Sequence, residues 1–266
     1  MKNRVAAVIL LLLLLAAVLV IRVSRYDYAF QDREAVLAQS TSQHPAGTDE
    51  LGRDRMVRVA GALLIGLTGA VSAAAITTAI AGLFGMIAAF STPWLAKVFL
   101  FISDVFLSLP WLFLLMMARS LLPLTASPLQ TAVTTFLVLA ALGWPACSRA
   151  IYRNASNLRT AEWMVYGYAC GLKTRQLIRT HLVPHLSSLL LPQLLVCIPA
   201  FMVAEANLGA LGLGIGEPLP SWGAMLLELD NSALLAQSQW VYLPIVLLVA
   251  VLMIFEIFTL EGDTHA

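Results

Sequence analysis

Three sets of residues in this chain could carry chemistry: carboxylates set in oily sequence, scattered thiols, and a basic cluster between two apolar runs. Asp104 lies inside the run Leu95–Ala118, and Glu205 directly follows the run Leu186–Ala204. An ionisable group at membrane depth is costly unless paired or wetted. Asp104 therefore marks either a polar contact between helices or a water-lined path. Lys97 stands one heptad earlier on about the same face, roughly 10 Å away along a helix, too far to pair with it directly. Cys147, Cys170 and Cys197 have no CxxC spacing and no paired histidine, so they read as small apolar packing residues rather than metal ligands or disulfide partners. Ser221, His181 and Asp104 fall in separate parts of the chain. No G-x-S-x-G, H-E-x-x-H or G-x-x-x-x-G-K-[ST] string accompanies them. No catalytic residue, no metal and no bound cofactor is expected. The polar residues are expected to bind and to move, not to break bonds.

The elements that position them are oily. The chain is 60% apolar and 12% charged, with a mean hydropathy of +0.85, which excludes a soluble domain. A bilayer span takes about 20 apolar residues as a helix, and six runs qualify: Val5–Ile21, a stretch within Val59–Phe90, Leu95–Ala118, Thr131–Pro145, Leu186–Ala204 and Val241–Leu260. Such long runs exclude the alternating pattern of a barrel. The expected fold is all-α and polytopic, with six transmembrane helices. No small-x-small cleavage site follows Val5–Ile21, so it reads as a retained helix. Glycines in the second run, with Ala88 and Ala89, predict close helix packing.

Charge sets the topology. Residues 145–186 hold six Lys/Arg against one acid, Glu162, and 205–240 holds only acids: Glu205, Glu217, Glu228 and Asp230. Residues 22–58 balance six arginines against six acids, and the formal net charge of +1 gives no sign of nucleic-acid binding. An excess of Lys/Arg belongs on the cytoplasmic side. That places both chain ends and the 145–186 loop inside and the 22–58 segment outside. Pro145 is expected to bend the chain at the interface, with Trp144 and Trp222 as interfacial anchors.

Three strings carry a resemblance. His44-Pro45-Ala46-Gly47-Thr48-Asp49-Glu50-Leu51-Gly52-Arg53-Asp54 reads locally as a turn and a helix start, with Thr48 or Asp49 as the N-cap. It resembles the HPLGTDELGRD signature of permeases for dipeptides, oligopeptides and nickel, with Ala46 in place of Leu. Gln176 to Pro184, containing Leu177 and His181, resembles the end of the coupling loop of ATP-binding-cassette importer permeases. Glu205 to Leu226, with Pro220, Trp222 and Gly223, resembles the family's outer-face string; Gly209 and Ala210 replace its Ser-Phe. Asp104 with Leu109-Pro110 also fits. The resemblance covers about residues 44 to 258. One departure stands out: aligned on Gly171, Val165-Tyr166-Gly167 replaces the family's Glu-Ala-Ala. Glu162, one turn earlier, is placed to compensate for the lost charge, and Gly171 is placed to end the helix.

The resemblance implies a type I ABC importer permease fold. It divides the chain into an N-terminal helix with an extracytoplasmic segment (1–58), a permease domain (59–260) and a cytoplasmic tail (261–266). The chain would form half of a translocation path in the bacterial or archaeal inner membrane for peptides or a similar small solute. Implied partners are a second permease in a pseudo-twofold heterodimer, one or two ATPase subunits holding ATP and Mg, and an extracytoplasmic solute-binding protein. The ATPase would engage Glu162, Val165, Tyr166, Gly167, Gly171, Leu177, His181 and Pro184. Asp49, Gly52, Arg53 and Asp54 would stand on the outer face with Pro220, Trp222 and Gly223. Rival readings are an ion-driven transporter or channel, and a degenerate partner whose coupling is weakened by Tyr166.

Overall fold

The computed structural model describes residues 2–120, 126–159, 161–172, 174–177, 183–231, 234–235 and 238–262. Among the described residues there is helix and no strand, apart from one isolated bridge between Thr48 and Asp54. Five helices among the described residues are long and apolar enough to cross a membrane, or six if a bent pair counts as one span.

Helix α1 (Lys2–Val23) forms from an unbroken Val, Leu, Ile and Ala run. Val5, Leu11, Leu12, Leu15 and Leu19 are each more than half exposed, as suits a helix bathed in lipid. Helix α2 (Arg55–Phe90) is the axis of the bundle. Its 36 residues contain no proline and extend about 54 Å. The expected cap at Thr48 or Asp49 is displaced: the N-cap is Asp54, whose carboxylate accepts from the Val57 N–H at 3.0 Å. Asp49 is used instead to close a turn, accepting from the N–H groups of Leu51 (2.9 Å) and Arg53 (2.8 Å).

The third expected span is broken. Helices α3 (Pro93–Ser108) and α4 (Trp111–Ser120) meet at 85° across Leu109-Pro110. Pro110 lacks the N–H that would continue the ladder, and its ring disfavours helix in the residue before it. At Pro145 the outcome is opposite. Helix α5 (Pro128–Arg159) continues through it, well beyond the expected end. Trp144 packs among Phe84, Phe99 and Phe106, with ring centroids 5.3, 5.8 and 5.9 Å away.

Two short helices follow, α6 (Glu162–Ala169) and α7 (Thr174–Leu177), then the long α8 (Val183–Ala210), short α9 (Trp222–Leu226) and α10 (Leu243–Gly262). The core lies chiefly between α2, α5 and α8, built on Ala70, Ala73, Ala74, Leu139, Ala140 and Met202. Small residues let the backbones approach, the usual device in lipid, where apolar burial gives no drive to association. A Cβ on Gly85 of α2 would come within 2.8 Å of the Ser148 carbonyl on α5. Thr77 donates to the Ala140 carbonyl across the same contact at 3.0 Å.

Candidate functional site

The polar chemistry gathers at the two ends of the bundle. At the N-terminal end of α2, residues 24–54 fold back over the helix tips, and the stretch after α8 meets them. Arg53 pairs with Asp49 (2.6 Å) and with Glu217 (2.5 Å). Arg58 also reaches Glu217 (3.1 Å), and it donates to the carbonyls of Tyr28 and Pro218, both at 3.3 Å. Arg55 pairs with Glu228 at 2.9 Å and donates to the Ala46 carbonyl at 3.2 Å. His44 Nδ1 lies 2.9 Å from Asp54, and the His44 ring stacks on Tyr26.

Arg55 and Arg58 are each 1% exposed. Buried charges persist only when paired and hydrogen-bonded, and each of these has a carboxylate and a carbonyl to meet. Burial pushes the Glu228 carboxyl above its ordinary pKa, and Arg55 only partly draws it back. Burial draws the Arg53 guanidinium down, but Asp49 and Glu217 outweigh it and leave it raised.

Beneath this collar the segment 217–226 is seated on α2. Pro220 packs on Gly61, and Trp222 is wholly buried with its indole against Gly66; a Cβ there would stand 2.5 Å from Nε1. Trp222 is thus a core residue and not the expected interfacial anchor. Gly209 and Gly223 bring α8 and α9 into backbone contact: a Cβ on Gly209 would meet the Gly223 Cα at 2.6 Å. A side chain at Gly209, where the resembling string carries serine, would force the α9 backbone to shift. Glu205 is fully buried rather than open to a mouth. Among the described residues no donor reaches its oxygens at full hydrogen-bond geometry, and the backbone N–H groups of Trp222 and Gly223 face it.

At the opposite end, α6 lies between α5 and α7. Met164 and Leu177 are fully buried, and a Cβ on Gly167 would collide with the Leu177 side chain. Val165 and Tyr166 point the other way, 55% and 65% exposed, beside exposed Glu162. Gly171 has φ +80°. The Leu172 N–H returns to the Gly167 carbonyl at 3.1 Å, the six-to-one bond of a Schellman ending. Arg159 donates to the Ala89 carbonyl at 3.3 Å, tying the last turn of α5 to the end of α2. Pro184 stands in the first turn of α8, and His181 lies outside the described residues.

The profile of the family of binding-protein-dependent transport system inner membrane components matches residues 81–258, two thirds of the chain. The chain belongs to this family. Among its relatives, the oligopeptide transport system permease protein OppC of Bacillus subtilis is 28% identical over 209 residues, covering 79% of this chain and 67% of the relative. A putative peptide permease protein of Brucella suis is 30% identical over 212 residues, covering 80% and 68%. The dipeptide transport system permease protein DppC of Bacillus subtilis is 30% identical over 185 residues, covering 70% and 56%. The chain thus spans about two thirds of the length of the first two relatives and less of the third.

As a permease of this family, the protein has the ABC permease fold and is a transport component of the inner membrane, not a member of an enzyme family. Its Asp104 forms an ion pair with Arg149 of α5, and both side chains are partly exposed. The two residues lie 45 positions apart in sequence, so no local spacing links them. Arg55, Arg58, Glu217 and Glu228 were also missed as site residues. The signal existed: arginines at the start of α2, and a stretch from 205 to 240 with acids and no bases.

Proposed function

We propose that this permease is the membrane-spanning subunit of an ATP-driven importer. It forms half of a path for peptides or a similar small solute delivered by an extracytoplasmic binding protein. ATP and Mg are held by a separate ATPase, which docks on the 162–184 loop. A second permease completes the path by pseudo-twofold pairing. The 145–186 basic loop and both chain ends face the cytoplasm, and the charged collar faces outward.

The observation that carries this reading is the geometry of α6. Val165 and Tyr166 are presented away from the bundle while Met164, Gly167 and Leu177 seat the helix beneath them. An apolar and aromatic pair exposed beside a carboxylate, on a helix stopped by Gly171, is a partner-docking face. Tyr166 supplies contact area where the family places a small residue. The substrate class follows the oligopeptide and dipeptide permeases that the chain resembles.

The test is affinity purification of the tagged chain from native membranes in mild detergent, with co-purified subunits identified by mass spectrometry. Recovery of an ABC ATPase and a second permease is the expected result. Tyr166→Asp should lose the ATPase and keep the second permease. Equal recovery of ATPase with wild type and Tyr166→Asp would overturn the docking assignment. Absence of any ATPase from an intact permease pair would overturn the ATP-driven reading itself.

A further inference from the structure

Two of the three cysteines, 50 residues apart in sequence, meet inside the bundle. Cys147 Sγ of α5 and Cys197 Sγ of α8 are 3.1 Å apart, and the side-chain amide of Gln193 donates to Cys147 at 3.2 Å. Both are buried, 3% and 5% exposed, while Cys170 is exposed on the turn after α6. Carbon-centred apolar contacts are best at about 3.5–4.0 Å, so this approach is closer than packing alone asks. Disulfide sulfurs lie about 2.05 Å apart, so closing the bond needs a movement of roughly 1 Å.

The position gives the contact a consequence. Cys147 lies two residues after Pro145, and Cys197 lies between Pro192 and Pro199. Prolines inside a helix remove a ladder hydrogen bond and are where helices bend. The two thiols therefore bridge the bendable parts of the helix that enters the 160–182 loop and the helix that leaves it.

We propose that Cys147 and Cys197 are a redox-modifiable dithiol whose oxidation to a disulfide pins α5 to α8. The oxidant must dissolve in the membrane, and an organic hydroperoxide is the class that fits. One sulfur attacks the terminal oxygen of the O–O bond and loses its proton to the departing alkoxide, giving a sulfenic acid and an alcohol. The second sulfur then displaces the sulfenic oxygen, which leaves as water with the second thiol's proton. In sum, two thiols and one hydroperoxide give one disulfide, one alcohol and one water. The sulfurs give up two electrons and the peroxide takes them. A dithiol reductant reverses the bond by exchange. This inference is independent of which solute is carried.

The test uses the full chain in native membranes, in a Cys170→Ser background that leaves only the pair. Membranes are treated with cumene hydroperoxide, free thiols are blocked with N-ethylmaleimide, and the digest is read by mass spectrometry without reduction. The expected result is loss of both blocked-thiol peptides and gain of one Cys147–Cys197 linked peptide. It should disappear on reduction and never form in Cys147→Ser or Cys197→Ser. Recovery of both cysteines as free thiols, or as separate overoxidised residues, would overturn the pairing. Amide hydrogen exchange then reads the pinning: slower exchange around Pro145 and Pro192 in the linked form is expected. A linked chain with unchanged exchange there would overturn the restraint.

Discussion

Arg58 Nη2 and Glu217 Oε1 lie 3.1 Å apart although 159 residues separate them in sequence. Through this pair the first turn of α2 holds the segment that follows α8. Arg53 shares the same carboxylate, so one glutamate ties together two arginines that flank the cap residue Asp54.

The neighbouring Arg55–Glu228 pair is the better buried one, with side chains 1% and 14% exposed. Arg55→Met leaves the Glu228 carboxylate without its cation, and a cost of about 3 kcal/mol at neutral pH is expected. Glu228 already has a raised pKa in the folded chain because of burial. A carboxyl raised on folding carries a penalty that is full above its folded pKa and fades as pH falls through it. The melting-temperature gap between wild type and Arg55→Met in detergent should therefore narrow on acidification. A gap that widens at lower pH would contradict this.

Gly66 makes the slot for Trp222. Gly66→Val should overpack it, costing about 1–3 kcal/mol, seen as a lower melting temperature and altered tryptophan emission. Adding Trp222→Ala should cost less in Gly66→Val than in wild type, because the two changes share one site. Strict additivity in that double-mutant cycle would deny the contact.

Gly171 holds a positive φ that asparagine tolerates and valine does not. Gly171→Asn should retain ATPase recovery in a pull-down, and Gly171→Val should lower it at equal expression of the permease. Equal recovery for both would remove the helix ending from the docking mechanism.

Asp104→Arg and Arg149→Asp should each reduce the yield of folded permease by setting like charges together between α3 and α5. The double reversal should restore it. Failure of the double variant, with both singles impaired, would show that these side chains act through other neighbours.

Much of this architecture was legible in the chain because lipid leaves few options. Val5–Ile21 and Val241–Leu260 have only one way to satisfy their backbone, and the helices appear there. The positive φ of +73° at Gly212, just past the end of α8, likewise suits the glycine that occupies it. The fate of Trp222 was not legible. Tryptophan is amphipathic, and whether it lies at an interface or in a core depends on whether a facing residue such as Gly66 opens a slot. Pro145 and Pro110 look alike in sequence but only Pro110 breaks its span. Pro145 is held within an otherwise continuous α5 packed along α2, where Gly85 admits Ser148 and Ile151. The partners of Asp104 and Arg58 were hidden for the same reason. Pairing between distant helices is set by packing, and local periodicity does not encode it.

The unbroken length of α2 has a mechanical consequence. Its far end receives the Arg159 side chain on the Ala89 carbonyl, and its near end carries Arg55 and Arg58 into the charged collar. With no proline to act as a joint, the helix behaves as a lever: a tilt of about 5° at one end displaces the other by roughly 5 Å over its length. Under the proposed docking of an ATPase on the loop, a push of atomic size there would be enlarged to the width of a side chain at the collar, with no element in between needing to unfold.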